Sequence, residues 1–197
     1  MLFLDDIHTP ECRAFAEAWQ VWRGADLAPR RSTVRIEDIP KLLPQISVLE
    51  IISPERAEFR LAGTALCAAM GIELTGLNYF DLTAPETRPR RVARTRRIVL
   101  HPCGAHVLYP IVHRSGRTVL TEVLSLPVWP NEPAAPLQIF AISVPMEDMR
   151  LEEPAAEPKQ LPRGEGFHFI DIGAGVPDAD LNPTAQPLRS RNSVRTA

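Results

Sequence analysis

The first sustained pattern along the chain is helical. Phe15, Ala18, Trp19 and Trp22 recur three and four residues apart, the stripe of an amphipathic helix. Thr9 offers a side-chain cap, Pro10 suits the first helical position, and Glu11 complements the positive end of the helix dipole. Gly24 supplies a left-handed terminator. A loop at Pro29-Arg30-Arg31-Ser32 follows, then a short helical turn over 36–43 stopped by Pro44. Residues 46–52 are mostly apolar and rich in β-branched types, which predicts a largely buried strand. Ser53-Pro54-Glu55 turns the chain. Ala57, Phe59 and Leu61 then alternate with Arg56, Glu58 and Arg60, the period of a half-exposed strand.

Further along, Thr64 caps a short predicted helix over 65–70 that Gly71 ends. A turn over 78–83 precedes a longer helix that starts at Pro85 or Pro89, runs to Leu100, and is closed by Pro102 and Gly104. Strands are predicted over 106–113, 117–126 and 137–144. Arg114-Ser115-Gly116 joins the first two as a hairpin, and Pro110 marks an edge or bulge position. The order β-β-α-α-α-β-β-β defines an α+β class: a five-stranded antiparallel sheet with helices on one face, plus an N-terminal helix.

Twenty prolines punctuate the chain, eight of them between Pro127 and Pro162. That stretch also holds Glu152-Glu153-Pro154-Ala155-Ala156-Glu157-Pro158, a composition that buries little apolar surface and reads as linker. Three regions follow: an amphipathic helix (1–28), a core domain (29–146), and a Pro-rich, acidic, flexible tail (147–197). Within the tail, 166–172 reads as a strand that docks on the sheet, with Phe167 and Phe169 facing the core or a partner's edge strand.

Five segments in order carry a family resemblance: Trp19 with Trp22-Arg23, Pro29-Arg30, Asp38–Pro44 (Asp-Ile-Pro-Lys-Leu-Leu-Pro), Arg60–Thr64 (Arg-Leu-Ala-Gly-Thr), and Gly71–Gly76 (Gly-Ile-Glu-Leu-Thr-Gly). With them the chain, from about Trp19 to Val144, resembles the PAS domain superfamily, and in particular a bacterial family of small, mostly stand-alone PAS proteins. The resemblance implies a PAS fold and a sensory or regulatory role in signalling, through a ligand cavity or a partner surface. It implies no reaction and no single cofactor, and output is expected through another protein.

Net charge is −2 and the pI about 6.2, so no chain-wide basic field for nucleic acid exists and none is expected to bind. Cys12, Cys67 and Cys103 are far apart, which argues against a disulfide framework or a zinc finger and fits a reducing cytoplasm. The N-terminus shows no signal-peptide pattern, and no apolar run approaches the roughly 20 residues of a membrane span.

His101, Cys103, His106 and His113 form a cluster of soft donors. Pro102 and Gly104 make it a helix-to-strand corner without an evident fourth ligand, so no metal or haem is expected. Cys67, within Ala65-Leu66-Cys67-Ala68-Ala69, lacks polar neighbours to hold a flavin or activate the thiol. Gly173-Ala174-Gly175 lacks the further glycine and helix of a phosphate loop. Glu122, between Thr121 and Val123, reads as solvent-facing. No residue nominates itself for catalysis, and no enzyme is expected.

Apolar phase nominates Leu66, Met70, Phe80, Val99, Tyr109, Leu120 and Phe140 as the lining of a ligand pocket, or equally as a filled core. The Trp19/Trp22 stripe reads as packing on the domain's own sheet or as a partner surface. On the long helix Arg90, Arg94 and Arg97 share one face, opposite Val92, Thr95 and Val99. That stripe is a solvated face, or a surface for an acidic partner, a phosphorylated second messenger or nucleic acid, the last disfavoured because no aromatics interleave with it. The partners expected are a second copy of the chain, as a homodimer, a signalling protein such as a kinase or regulator, and a small molecule. A ligand-free adaptor acting through PAS dimerisation is the alternative.

Overall fold

The computed structural model describes residues 6–112, 118–150 and 165–177. The predicted hairpin at 114–116 lies outside them, as does most of the linker. The helix α1 (Pro10–Arg23) begins as its sequence dictates. Thr9 is extended and its side chain accepts the Cys12 N–H at 3.3 Å. Gly24 ends the helix at φ 57°, a backbone that favours glycine. Its buried positions, Cys12, Phe15, Ala16, Trp19 and Trp22, repeat every three or four residues and form one face.

The strands are β1 (Ile46–Ser53), β2 (Arg56–Ala62), β3 (Gly104–Val112), β4 (Thr118–Val128), β5 (Leu137–Arg150) and β6 (Glu165–Ile170). They form one antiparallel sheet in the order β2-β1-β5-β4-β3-β6. Between β2 and β3 lie α2 (Thr64–Met70), a 3-10 turn (Tyr79–Leu82) and α3 (Arg88–Leu100). This is the PAS arrangement, with six strands where five are expected. The addition is β6, whose apolar Phe167, Phe169 and Ile170 are buried and whose backbone pairs with β3. The boundary expected at Met146 falls inside β5. Pro110 pairs with Leu120 of β4, whereas β6 pairs with β3 only from Gly104 to Leu108. Among the described residues nothing pairs with Pro110 on that side, where a missing N–H costs no ladder bond.

Strand alternation sends side chains to two separate cores. On one face Leu124, Leu126, Val128, Phe140, Ile142 and Val144 meet α1. On the other, Leu49, Phe59, Ile139 and Val107 meet α2, α3 and Phe167. The helices α2 and α3 therefore share one face, as expected, and the N-terminal helix α1 covers the other. Trp19 is 0% and Trp22 5% exposed, and the Trp19 indole N–H donates to the Pro127 carbonyl at 3.0 Å. This corrects the partner-surface reading of those two residues. The sheet face beneath is as apolar as the stripe, and it takes the stripe for itself.

Two sequence motifs meet at Gly63. Its N–H donates to the Ile46 carbonyl at 2.8 Å, and a Cβ there would run into the Pro44 carbonyl oxygen. The Leu-Leu-Pro turn and the Ala-Gly-Thr strand end are therefore one packed joint. The helix cap is Gly63 itself, without a side-chain bond, and Thr64 is already the first residue of α2. No helix among the described residues is long and apolar enough to cross a membrane.

Candidate functional site

The face of the sheet under α2 and α3 is not completely filled. Two adjoining lobes of about 80 Å³ and about 70 Å³ share Leu49, Tyr79, Arg91, Val123 and Ser125 as walls. A water needs roughly 10–15 Å³ of such space, so the lobes together have room for several waters or one small organic ion.

The lining is apolar below and basic above. Leu49, Val123 and Ile139 rise from the sheet, and Arg90, Arg91, Arg94 and Thr95 descend from α3, with Thr87 just before it. Among the described residues, none that lines either lobe is acidic. Arg91 is the most enclosed of the three arginines, 8% exposed. Its guanidinium donates to the Tyr79 hydroxyl at 2.8 Å and lies 5.3 Å from the Tyr79 ring centre. Arg94 sits 3.8 Å over the Phe167 ring, a cation–π contact that ties α3 to the tail strand. Phe167 is itself part of the cavity wall.

Of the seven residues nominated as lining, Leu66 and Met70 are in the wall. Phe80, Val99, Leu120 and Phe140 are buried but stand outside it, and Tyr109 is described by its backbone, paired with Thr121. In three cases the adjacent residue lines the cavity instead: Tyr79, Ile98 and Ile139. Apolarity cannot resolve such one-residue offsets: Ile98 and Val99 are both buried in one cluster, and Ile139 and Phe140 are both buried on opposite sides of the sheet. Phe140 faces α1 on the far side of the sheet. Arg90 and Arg97 are exposed as read, whereas Arg94 is half-buried against Phe167. Arg91 escaped the sequence reading, although it shares a helical face with Thr95, Ile98 and Val99, all buried.

The far side of the sheet holds the only strongly perturbed carboxylate among the described residues. Glu122 is 0% exposed, which corrects its solvent-facing reading: with α1 over that face there is no solvent to meet. It accepts from the His8 N–H at 2.7 Å, the Thr9 N–H at 2.7 Å, the Thr9 hydroxyl at 2.6 Å and His106 Nε2 at 2.7 Å. Burial pushes its carboxyl up, but these bonds outweigh burial and hold it at about 2. The neighbouring His168 is lowered by burial and by His106.

The soft-donor cluster of the sequence is not brought together. Cys103 is fully buried, burial pushes its thiol up to about 12, and His113 lies outside the described residues. Cys67 is also raised, chiefly by burial. Both thiols are therefore protonated at neutral pH and are poor nucleophiles.

An antiparallel sheet with short helices over an internal cavity on one face and a long helix on the other defines an α+β class. The family model described as PAS domain matches residues 7–141, and the chain belongs to that family. It is accordingly a sensory or regulatory module of the PAS type. Similar solved structures include a Rhodobacter sphaeroides LOV protein (14% identity, 69% of this chain and 68% of that one, TM-score 0.40). The PAS domain of Bordetella pertussis BvgS gives 14% identity over 56% of this chain and 85% of that one, at TM-score 0.40. The Drosophila melanogaster Cycle PAS-B domain with bound glycerol gives 11%, 51% and 98%, at TM-score 0.39. None of these likenesses is close enough to carry an argument of its own. Comparison with curated protein sequences gives no match.

Proposed function

We propose that the cavity binds a small organic anion and that the chain acts as a ligand-responsive PAS module rather than as an enzyme. One observation carries this reading: Arg90, Arg91 and Arg94 line a partly apolar cavity together with hydroxyl side chains. A guanidinium stays charged at any working pH and presents a planar fork matched to carboxylate or phosphate. Arg91, held by the Tyr79 hydroxyl, stands at the buried end of the lining. Thr87, Thr95 and Ser125 add hydroxyls, and Leu49, Val123 and Ile139 take the apolar part of the ligand. Output would pass to a second copy of the chain or to a signalling protein. The exposed Arg90, Arg96 and Arg97 of α3 supply a basic surface suited to an acidic partner.

The test is a thermal-shift panel of small mono- and dicarboxylates and phosphate monoesters, each set against its neutral amide or ester. Ligand at a hundred times its dissociation constant stabilises by about 2.7 kcal/mol, or about 5–10 °C in a domain of this size. At least one anion is expected to give such a shift, its neutral analogue none, and Arg94→Ala is expected to reduce it. Equal shifts from neutral and anionic members would refute the reading.

A further inference from the structure

Short side chains cross the sheet in a single row beneath the cavity. Ser47 of β1 is the register partner of Ala141 on β5. Ala141 is that of Ser125 on β4, and Ser125 that of Ala105 on β3. Residues in register share a face of the sheet, and all four are walls of the cavity. The next positions on the same face are longer: Leu49 and Ile139 on one flank, Val123 and Val107 on the other. A row of short residues between longer ones leaves a trough that runs across the strands. The four strands are neighbours in the sheet. Adjacent strands lie about 4.8 Å apart, so the trough extends about 14 Å.

Its two ends differ in chemistry. The β3 end is the lobe of about 80 Å³ under α3, where Arg90 and Arg94 join Ala105 in the wall. The β1 end is the lobe of about 70 Å³, closed by Phe59, Leu66, Met70, Leu74 and Leu82. Arg91 and Tyr79 stand in the walls of both lobes, at the seam, and so does Ser125 of the floor. A compact ion held by Arg90 and Arg94 would leave the β1 end empty, and its apolar walls would lose the contacts a filled space supplies. An elongated ligand with unlike ends fills both. At roughly 10–15 Å³ for each water-sized probe, the two lobes hold about ten to fifteen non-hydrogen atoms.

We propose that the ligand is an amphipathic carboxylate with an unbranched apolar tail, about eight to ten carbons in all, the length that matches this atom count. Its head lies at Arg90 and Arg94, and its tail passes over Ser125 and Ala141 toward Phe59 and Met70. This rests on the anion reading and narrows it to one chemical class. Ser125 is the specificity-determining position, because a longer side chain there obstructs the passage from one lobe to the other.

The test is calorimetry of the full chain against straight-chain acids from acetate to dodecanoate, below their micellar concentrations, with 1-octanol as the neutral control. Affinity is expected to rise about fourfold for each methylene that enters the apolar lobe, to level off near octanoate or decanoate, and to be weaker for 1-octanol. Ser125→Ile, a β-branched residue suited to a strand, is expected to flatten that rise and bring octanoate down toward butanoate. Equal affinity for butanoate and octanoate in the wild-type chain would overturn the proposal and leave the anion reading standing. Octanol bound as tightly as octanoate, or no acid bound at all, would overturn both. Affinity that climbs without a break through dodecanoate would also overturn it, since a closed trough has an end. The wild-type profile decides between these outcomes even if the Ser125→Ile chain does not fold.

Discussion

Single residues in this chain take their meaning from what covers them. Glu122 occupies a strand position that alternation alone makes solvent-facing, yet α1 closes over it and four donors hold it ionised in the interior. Its folded value of about 2 lies below the ordinary 4.5. Its contribution to stability is therefore fully present above 4.5 and is lost as pH falls from there toward about 2. That difference corresponds to about 3 kcal/mol. Urea midpoints measured between pH 7 and pH 2 should fall across that window in the wild type. Glu122→Gln should be less stable at neutral pH and show a flatter acid limb. An unchanged acid limb in the variant would assign the acid sensitivity to other groups. Nothing in the sequence announced this network, because its donors at His8 and Thr9 lie more than a hundred residues from their acceptor. Thr9 itself was legible as a cap, from Pro10 and Glu11 beside it.

At the scale of elements, those with local signals were legible. Thr9-Pro10-Glu11 and Gly24 bound α1, Gly71 ends α2, and the alternation over Ala57, Phe59 and Leu61 gives β2. What escaped was phase against a distant neighbour. Phe140 was nominated for the cavity and faces α1, while Ile139 faces the cavity; both are apolar, and only the packing of helices on each side separates them. The same limit hid Arg91, a charge on a face otherwise formed by Thr95, Ile98 and Val99. The joint at Gly63 is the clearest case of two motifs explained by one contact. Its Cβ-free backbone lies against Pro44, so Gly63→Ala must shift main chain against main chain. Such overpacking costs about 1–3 kcal/mol, and a chemical-denaturation curve should show a loss of that size or greater. A neutral result would mean that the turn at Leu43–Gln45 yields without cost.

For the whole molecule, the two faces of one sheet do different work. The α1 face is closed: Phe15, Trp19 and Phe140 fill it, and aromatic side chains of this kind each bury about 150–250 Å². The α3 face keeps a cavity under three arginines, and the tail strand contributes Phe167 to its wall. The α+β class was legible from element order, and the family from five short segments. The sixth strand was visible as an apolar run, and Pro110 marked β3 as an edge or bulge strand, but that β6 joins β3 is set by backbone pairing that apolar pattern does not specify. The central claim is that this cavity is an anion site. The most direct measurement is a side-chain methyl and amide NMR titration of the full chain with the best anion of the panel. The account predicts saturable shifts centred on Leu49, Val123, Ile139 and α3, with the α1 face unmoved. Shifts confined to the exposed arginines, rising linearly without saturation, would contradict it.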